Sequence, residues 1–369
     1  MDDAWLRGPI RRRSWATRIA RRTVCLVVPH VVAGVRLADL LPLLEADHRI
    51  QVVVTVPEDG SHGPATQDFV KALGIVALPW TQARHTEWDL VLVADKHGVG
   101  ELRGKMLLVP QELDADTLTV DGQVRADAIV LTHDRQLEQL GENVPDAKPA
   151  AFVAGDIGFD RLEAAMSLRK HYREALDVPT DQELVFVSSA YGEQSALGRH
   201  PDLFDRILAE LAPDRYWVAG ALHPRTWAQY GEWQVRDWMS PALNDGLRLM
   251  PPHEGWRGAL VGADAVIGDH GKPTRYAAGI GVPVLHVPDG EDAPEPFDGT
   301  PVWDLDDPLE PQLKQPGGPD RDTVRDLLTS RPGEAGSVLR QKLYELLDLD
   351  EPARSVPLSP VSLPVPVLP

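Results

Sequence analysis

Residues 265–285 read AVIGDHGKPTRYAAGIGVPVL. An apolar run, Ala265 to Ile267, breaks at Gly268 into a short polar turn; a compact helical segment follows, and a second apolar run starts at Pro283. Strand, turn, helix and strand in so few residues is the repeating unit of a parallel sheet covered by helices. Such a turn lies at the carboxyl end of its strand, where ligands of open α/β sheets bind. Gly271 permits close approach of a ligand to the backbone. Pro273 suits a first helical turn, and Asp269, His270, Lys272 and Thr274 supply the polar groups. Two occupants fit on physical grounds. A phosphate or diphosphate would use the helix N-terminus and Lys272. Alternatively, Asp269 or Thr274 caps the helix and Gly271 simply makes the turn.

The same alternation runs outward along the chain. TVCLVVPH (23–30), IQVVVTVP (50–57), WDLVLVAD (88–95), KMLLVPQ (105–111), ADAIVLTH (126–133) and AAFVAGD (150–156) read as strands separated by helical or turn segments. A helical connector follows, and a second series opens with ELVFVSS (183–189) and YWVAGALHP (216–224). The pattern predicts two doubly wound, Rossmann-like α/β domains facing a cleft, residues 23–165 and 166–350, with the break near 165–182. Residues 1–22 form a basic arm and 351–369, with six prolines, an extended disordered tail. The acidic, proline-rich stretch 288–320 reads as a long surface loop, and its DLDD run (304–307) as solvated carboxylates. No metal site is expected.

Length and composition narrow the function. The 369 residues carry a formal net charge of −19, which argues against nucleic-acid binding. The single cysteine, Cys25, lies in an apolar run and excludes an intrachain disulfide, which fits a reducing cytoplasm. No stretch is long and apolar enough to span a bilayer. The first 22 residues hold seven Arg against two Asp, with Trp5 and Trp15. That excess could hold the inner face of an anionic membrane weakly, or be a solvated arm.

Two further polar segments end strands of the second series. In ALHPRTW, Pro224 favours an extended His223, and Arg225 follows as a phosphate ligand. In VSSAYGEQS, Ser189, Gly192 and their neighbours form a small polar loop.

With these segments in hand, residues 150–290 resemble the CDP-glycerol glycerophosphotransferases, the teichoic-acid polymerase type, of GT-B fold. AGDIGFDRL (154–162) is similar to a conserved segment of that family, LHP (222–224) to its His-Pro, and 263–285 to its Asp-turn-helix-strand element. The resemblance implies cell-envelope polymer synthesis. His223 and the Asp269–Thr274 turn, with Ser189, Gly192 and Arg225, would bind a nucleotide diphosphate as substrate, with no separate cofactor. Lys272-Pro273 stands where the family has hydroxyl residues. In the first domain the family carries a His-Gly whose His is the acceptor base. Flanking strands place Gln111 and Glu112 there, while a different His-Gly, at His97, lies fourteen residues earlier. Glu112, in an apolar setting, or His97 is therefore the candidate base, the alternative for His97 being a plain turn residue, with His223 stabilising the leaving group. The reaction expected is transfer of glycerol phosphate or a sugar from a CDP- or UDP-linked donor to a hydroxyl acceptor. A binding protein with reduced catalysis and a UDP-sugar 2-epimerase-like enzyme are the alternatives.

Overall fold

The computed structural model describes residues 20–58, 63–288, 299–315, 317–354 and 358–367. The basic arm falls outside these residues except for its last three. Two compact units divide the chain: unit 1 is Met1–Asp160 with Thr329–Leu358, and unit 2 is Arg161–Leu328 with Ser359–Pro369.

Unit 1 holds β1 (Arg22–Val27), β2 (Ile50–Thr55), β3 (Val76–Leu78), β4 (Glu87–Val93), β5 (Arg103–Leu108), the hairpin β6 (Thr119–Val120) and β7 (Gln123–Val124), β8 (Ala128–Leu131) and β9 (Ala151–Val153). Seven of these form a sheet ordered β3-β2-β1-β4-β5-β8-β9, every pair parallel. The period of two shows in the core. Val24, Leu26, Leu90, Leu92 and Leu107 pack on one face and Cys25, Val27, Val91, Val93 and Leu108 on the other. Both faces are therefore covered. Burial pushes the Cys25 thiol far above its ordinary pKa.

Unit 2 holds β10 (Glu183–Ser189), β11 (Tyr216–Leu222), β12 (Arg248–Leu249), β13 (Ala265–Gly268) and β14 (Val284–His286) in the parallel order β12-β11-β10-β13-β14. In each sheet the order reverses beside the unit's first strand, between β1 and β4 and between β10 and β13. Those are the two topological switch points, where such folds bind ligands.

Helices are numbered here as needed: α1 (Val31–Ala38), α2 (Ile157–Ala165), α3 (Arg169–Ala175), α4 (Pro224–Trp238), α5 (Trp256–Gly262), α6 (Lys272–Ile280) and α7 (Ala335–Leu346). Three sequence expectations need correction. First, α7 belongs to unit 1: Ala335, Leu339 and Leu343 bury on the β1/β4/β5 face, and the Asp160 carboxylate accepts from the N–H groups of Gly333 (2.9 Å) and Ala335 (3.0 Å). The two-domain split at 165 is thus a split at 160 with a return at 329.

Second, the described part of the proline-rich tail is packed rather than disordered. Tyr172 donates to the Val361 carbonyl at 2.6 Å, Arg161 reaches the carbonyls of Ser359 and Pro360, and Val367 N–H donates to Leu249 O on edge strand β12 at 2.8 Å. Prolines lack donors but keep carbonyls, so the tail binds mostly by accepting. Third, the stretch 288–320 is not all surface loop. Residues 289–298 lie outside the described set, but Trp303 is fully buried in the unit 2 core, with Arg206 over its ring at 5.5 Å.

Candidate functional site

In unit 2, parallel register brings the ends of three strands to one rim: Ser188 pairs with Gly268 and Ser189 with Leu222. The central group is the Asp269 carboxylate, fully buried. Its Oδ2 accepts from Ala190 N–H (2.7 Å) and Ala196 N–H (2.9 Å), and its Oδ1 from Gly271 N–H (3.0 Å). A buried carboxylate accepting three backbone donors is well compensated. Asp269 therefore ties the 190–196 loop to the turn before α6, and its carboxylate faces backbone donors. Gly271 is the N-cap residue, so Asp269 fixes the turn before α6 and does not cap the first-turn N–H groups of the helix. Asp269 was also expected to bind diphosphate, and that expectation does not suit an acceptor-only group already saturated by the protein.

Ser189 and Ser195 serve the same loop. Ser189 Oγ accepts from Leu197 N–H (3.0 Å), while Ser195 Oγ accepts from Gly198 N–H (3.1 Å) and donates to Gly192 O (2.7 Å). Gly192 has φ +100° and open space where a side chain would stand.

Helix α6 starts differently. Its N-cap is Gly271, which has no side chain to cap with, so the first-turn N–H groups have no capping oxygen from it. Thr274 does not cap either. It is fully buried, and its Oγ1 has no hydrogen-bond partner among the described residues. That oxygen lies over Gly268: a Cβ placed there would be 2.5 Å from Thr274 Oγ1. Lys272 is exposed, with its ammonium 4.7 Å from the Tyr276 ring, and His270 is half-buried. Arg275, which the sequence reading passed over, is half-buried with its Nε unpartnered, and burial alone holds its pKa below the ordinary value. A lone basic residue inside a helix pattern gives no sign that its Nε lacks a partner among the described residues.

His223 caps α4. Its Nδ1 accepts from Arg225 N–H at 3.1 Å, and its own N–H donates to Ser189 O at 3.1 Å. With Nδ1 accepting, the neutral ring carries its proton on Nε2 and can donate there. Arg225 is exposed on the first turn of α4.

Unit 1 gathers a cluster at its own switch point. Asp95 follows β4, and His30 precedes α1 after β1. His30 Nε2 lies 2.8 Å from Asp95 Oδ2, and His97 Nδ1 lies 3.0 Å from Asp95 Oδ1, which also accepts His97 N–H at 2.9 Å. His30 Nδ1 accepts from Ala33 N–H, so the neutral ring carries its proton on Nε2, the nitrogen beside the carboxylate. Held through Nδ1, His97 is left with Nε2 as its basic nitrogen. Partial burial would raise the Asp95 pKa, but hydrogen bonds from His30 and from the His97 backbone, with the two imidazole charges, bring it below the ordinary value. The reading that placed His97 in a turn missed both partners, because neither Asp95 nor His30 lies in a motif. Glu112 and Gln111 are exposed in the turn after β5, so Glu112 lacks the apolar setting its role as a base required. Among the described residues no group of three or more His, Cys, Asp or Glu is arranged to hold a metal ion.

These two parallel-sheet units are of the GT-B type. The structure of the wall teichoic acid polymerase TagF soaked with CDPG, in a variant form, matches with a TM-score of 0.59 at 12% identity, over 89% of this chain and 89% of that one. The UDP-GlcNAc 2-epimerase from Neisseria meningitidis bound to UDP-GlcNAc matches at 0.51 and 14%, over 88% and 100%, and S. aureus MnaA with UDP at 0.52 and 13%, over 90% and 99%. No family model matches the sequence, and no curated protein does. No helix among the described residues is long and apolar enough to cross a membrane.

Proposed function

We propose that this chain is a nucleotide-dependent transferase that moves glycerol phosphate or a sugar from a CDP- or UDP-linked donor to a hydroxyl acceptor. One observation carries it: a buried hydroxyl, Thr274 Oγ1, left without a partner among the described residues beside an uncapped helix N-terminus at a topological switch point. A buried polar group without a partner is costly, and a donor phosphate oxygen would relieve it. Lys272 and Arg275 supply cations, and His223 offers its Nε2–H to the leaving phosphate. His97 Nε2 takes the acceptor proton, while Asp95 holds the ring and stabilises the imidazolium. The acceptor oxygen then bonds to the glycerol-bearing phosphorus with release of CMP, or to a sugar's anomeric carbon with release of the nucleoside diphosphate. Ligands named for the matched structures, UDP, UDP-GlcNAc and CDPG, support a nucleotide-linked substrate. A cytoplasmic location, with contact to the inner face of the membrane through residues 1–22, belongs to the same reading.

One observation favours a second reading. A 2-epimerase-like reaction needs carboxylate and histidine groups around the sugar, and the Asp95, His30 and His97 cluster provides such a set.

Calorimetric titration with CDP-glycerol, CMP, UDP-GlcNAc and UDP tests the proposal. The expected result is micromolar binding of one of them, lost in His223→Ala. Binding by none would overturn it. Single-turnover release of CMP or UDP, abolished in His97→Ala with binding intact, separates the base from the donor site.

A further inference from the structure

Helix α4 contains a break that the core does not require. Gly231 has φ +80° and ψ +157°, a backbone region that essentially only glycine occupies. Eight residues of unbroken helix rise about 12 Å. Across this break the rings of Tyr230 and Trp238 nevertheless meet edge to face, with centroids 4.7 Å apart. Burial is not what the break achieves, since Tyr230 remains 47% exposed and Trp238 44%. A backbone conformation closed to other residues, spent on joining two exposed aromatics, points to a ligand.

Both rings line a cavity of about 630 Å³ bounded by the 189–201 loop and α4, within the range of small-molecule sites. Tyr191 forms another wall. Its hydroxyl bonds to Gln229 Oε1, and its ring lies 6.0 Å from that of His223. Because Gln229 accepts through Oε1, its amide N–H groups are left to donate elsewhere. Among the described residues that line the cavity there is no Lys, Arg or His, and Glu193 is the one carboxylic acid. An anion therefore finds no counter-charge here, in contrast to the start of α6.

We propose that this cavity is a saccharide pocket: it takes a neutral polyhydroxylated ring, laid on the Tyr230–Trp238 platform and hydrogen-bonded by Gln229, Glu193 and Thr226. The C–H face of a sugar ring packs on an aromatic face, while carboxamide, carboxylate and hydroxyl groups exchange hydrogen bonds with its rim. The two rings meet edge to face at 62°, so they present a platform and not a parallel-walled slot for a flat base. The cavity shares Ser189, Gly192 and Ser195 with the rim described above. Assigning its sugar to the acceptor rests on the transferase reading, whereas binding itself does not.

Saturation-transfer NMR and tryptophan fluorescence on the full chain test it. The probes are methyl β-glucoside, N-acetylglucosamine and a trisaccharide, with cytidine and tetramethylammonium as non-sugar controls. Expected are ring C–H contacts from at least one saccharide at millimolar concentration. Its affinity should fall about tenfold or more in Trp238→Ala and in Tyr230→Ala, a loss of roughly 1.4 kcal/mol or more. Tyr230→Phe should keep it. Titration with UDP and CDP-glycerol should give the same result for these variants as for the wild type, and absence of nucleotide binding by the wild type would mark failure of the transferase reading and not of this one. No saccharide contact in the folded wild type would overturn the pocket. So would contact by cytidine or tetramethylammonium alone, abolished by the same substitutions.

Discussion

Thr274→Val replaces a hydroxyl by a methyl of similar size at a side chain with no solvent exposure. Thr274 Oγ1 is buried without a hydrogen-bond partner among the described residues. Burying a hydroxyl in that way costs about 1–3 kcal/mol, so the substitution should stabilise unit 2 by about 1–2 kcal/mol once imperfect fit of the methyl over Gly268 is allowed for. A hydrogen bond to a charged phosphate oxygen contributes about 1.5–3 kcal/mol, so nucleotide affinity should fall roughly 10- to 100-fold. Stability and affinity thus move in opposite directions. Urea unfolding followed by fluorescence gives the first quantity and calorimetry with the bound nucleotide the second. A destabilised variant would mean that the hydroxyl is already used within the fold. Unchanged affinity would mean that no ligand reaches it. Either result refutes the reasoning.

Asp269→Ala strands three backbone N–H donors; we expect a loss of about 3 kcal/mol or more and faster amide exchange at Ala190 and Ala196, measured by hydrogen exchange. Asp95→Asn bears on pH. The folded Asp95 pKa is lowered, so its contribution is complete above the unfolded carboxylate value of about 3.9 and is lost as pH falls through the folded value. The variant should therefore show a shallower acid limb in stability against pH. Gly258→Ala should invert the usual helix preference. Alanine ordinarily gains about 1 kcal/mol, but here its Cβ would lie 2.7 Å from Ser362 O and 2.8 Å from Pro364 Cδ, an overpacking worth about 1–3 kcal/mol. In a chain ended at Arg354 only the 3.0 Å approach to Tyr172 Cδ1 remains, so the same substitution should cost less, and equal effects in both backgrounds would exclude the packed tail.

Most strands and their parallel pairing were legible because each carries a short apolar run, whereas the three-residue β3 and the β6–β7 hairpin are too short to show one. The return of α7 to unit 1 was not legible, since Leu339 and Leu343 show only that one helix face is buried and not against which sheet. The tail misled for a related reason: a proline-rich stretch looks extended whether it is solvated or accepts bonds from Tyr172 and Arg161. At the site, the turn 269–274 was legible from residue type and spacing, yet the division of labour was not. Asp269 turned out to face backbone donors and Thr274 to face none. Such a difference depends on atoms brought together from β10, β13 and α6. The His30–Asp95–His97 cluster was hidden for the same reason, because sheet order alone makes its members neighbours.

The exchange of segments between the units has a consequence for synthesis. Unit 1 buries Leu26, Leu90 and Leu107 beneath a helix that is translated only after residues 161–328. The chain that emerges first therefore cannot finish its own core, whereas unit 2's sheet and α6 are complete once residue 328 has been made. Vectorial folding, ordinarily N-terminal unit first, runs here with the second unit's sheet able to form while the first waits with an apolar sheet face open to chaperones, and residues 359–367 close onto unit 2 last. Production of unit 1 by itself calls for residues 329–354 to be fused behind residue 160.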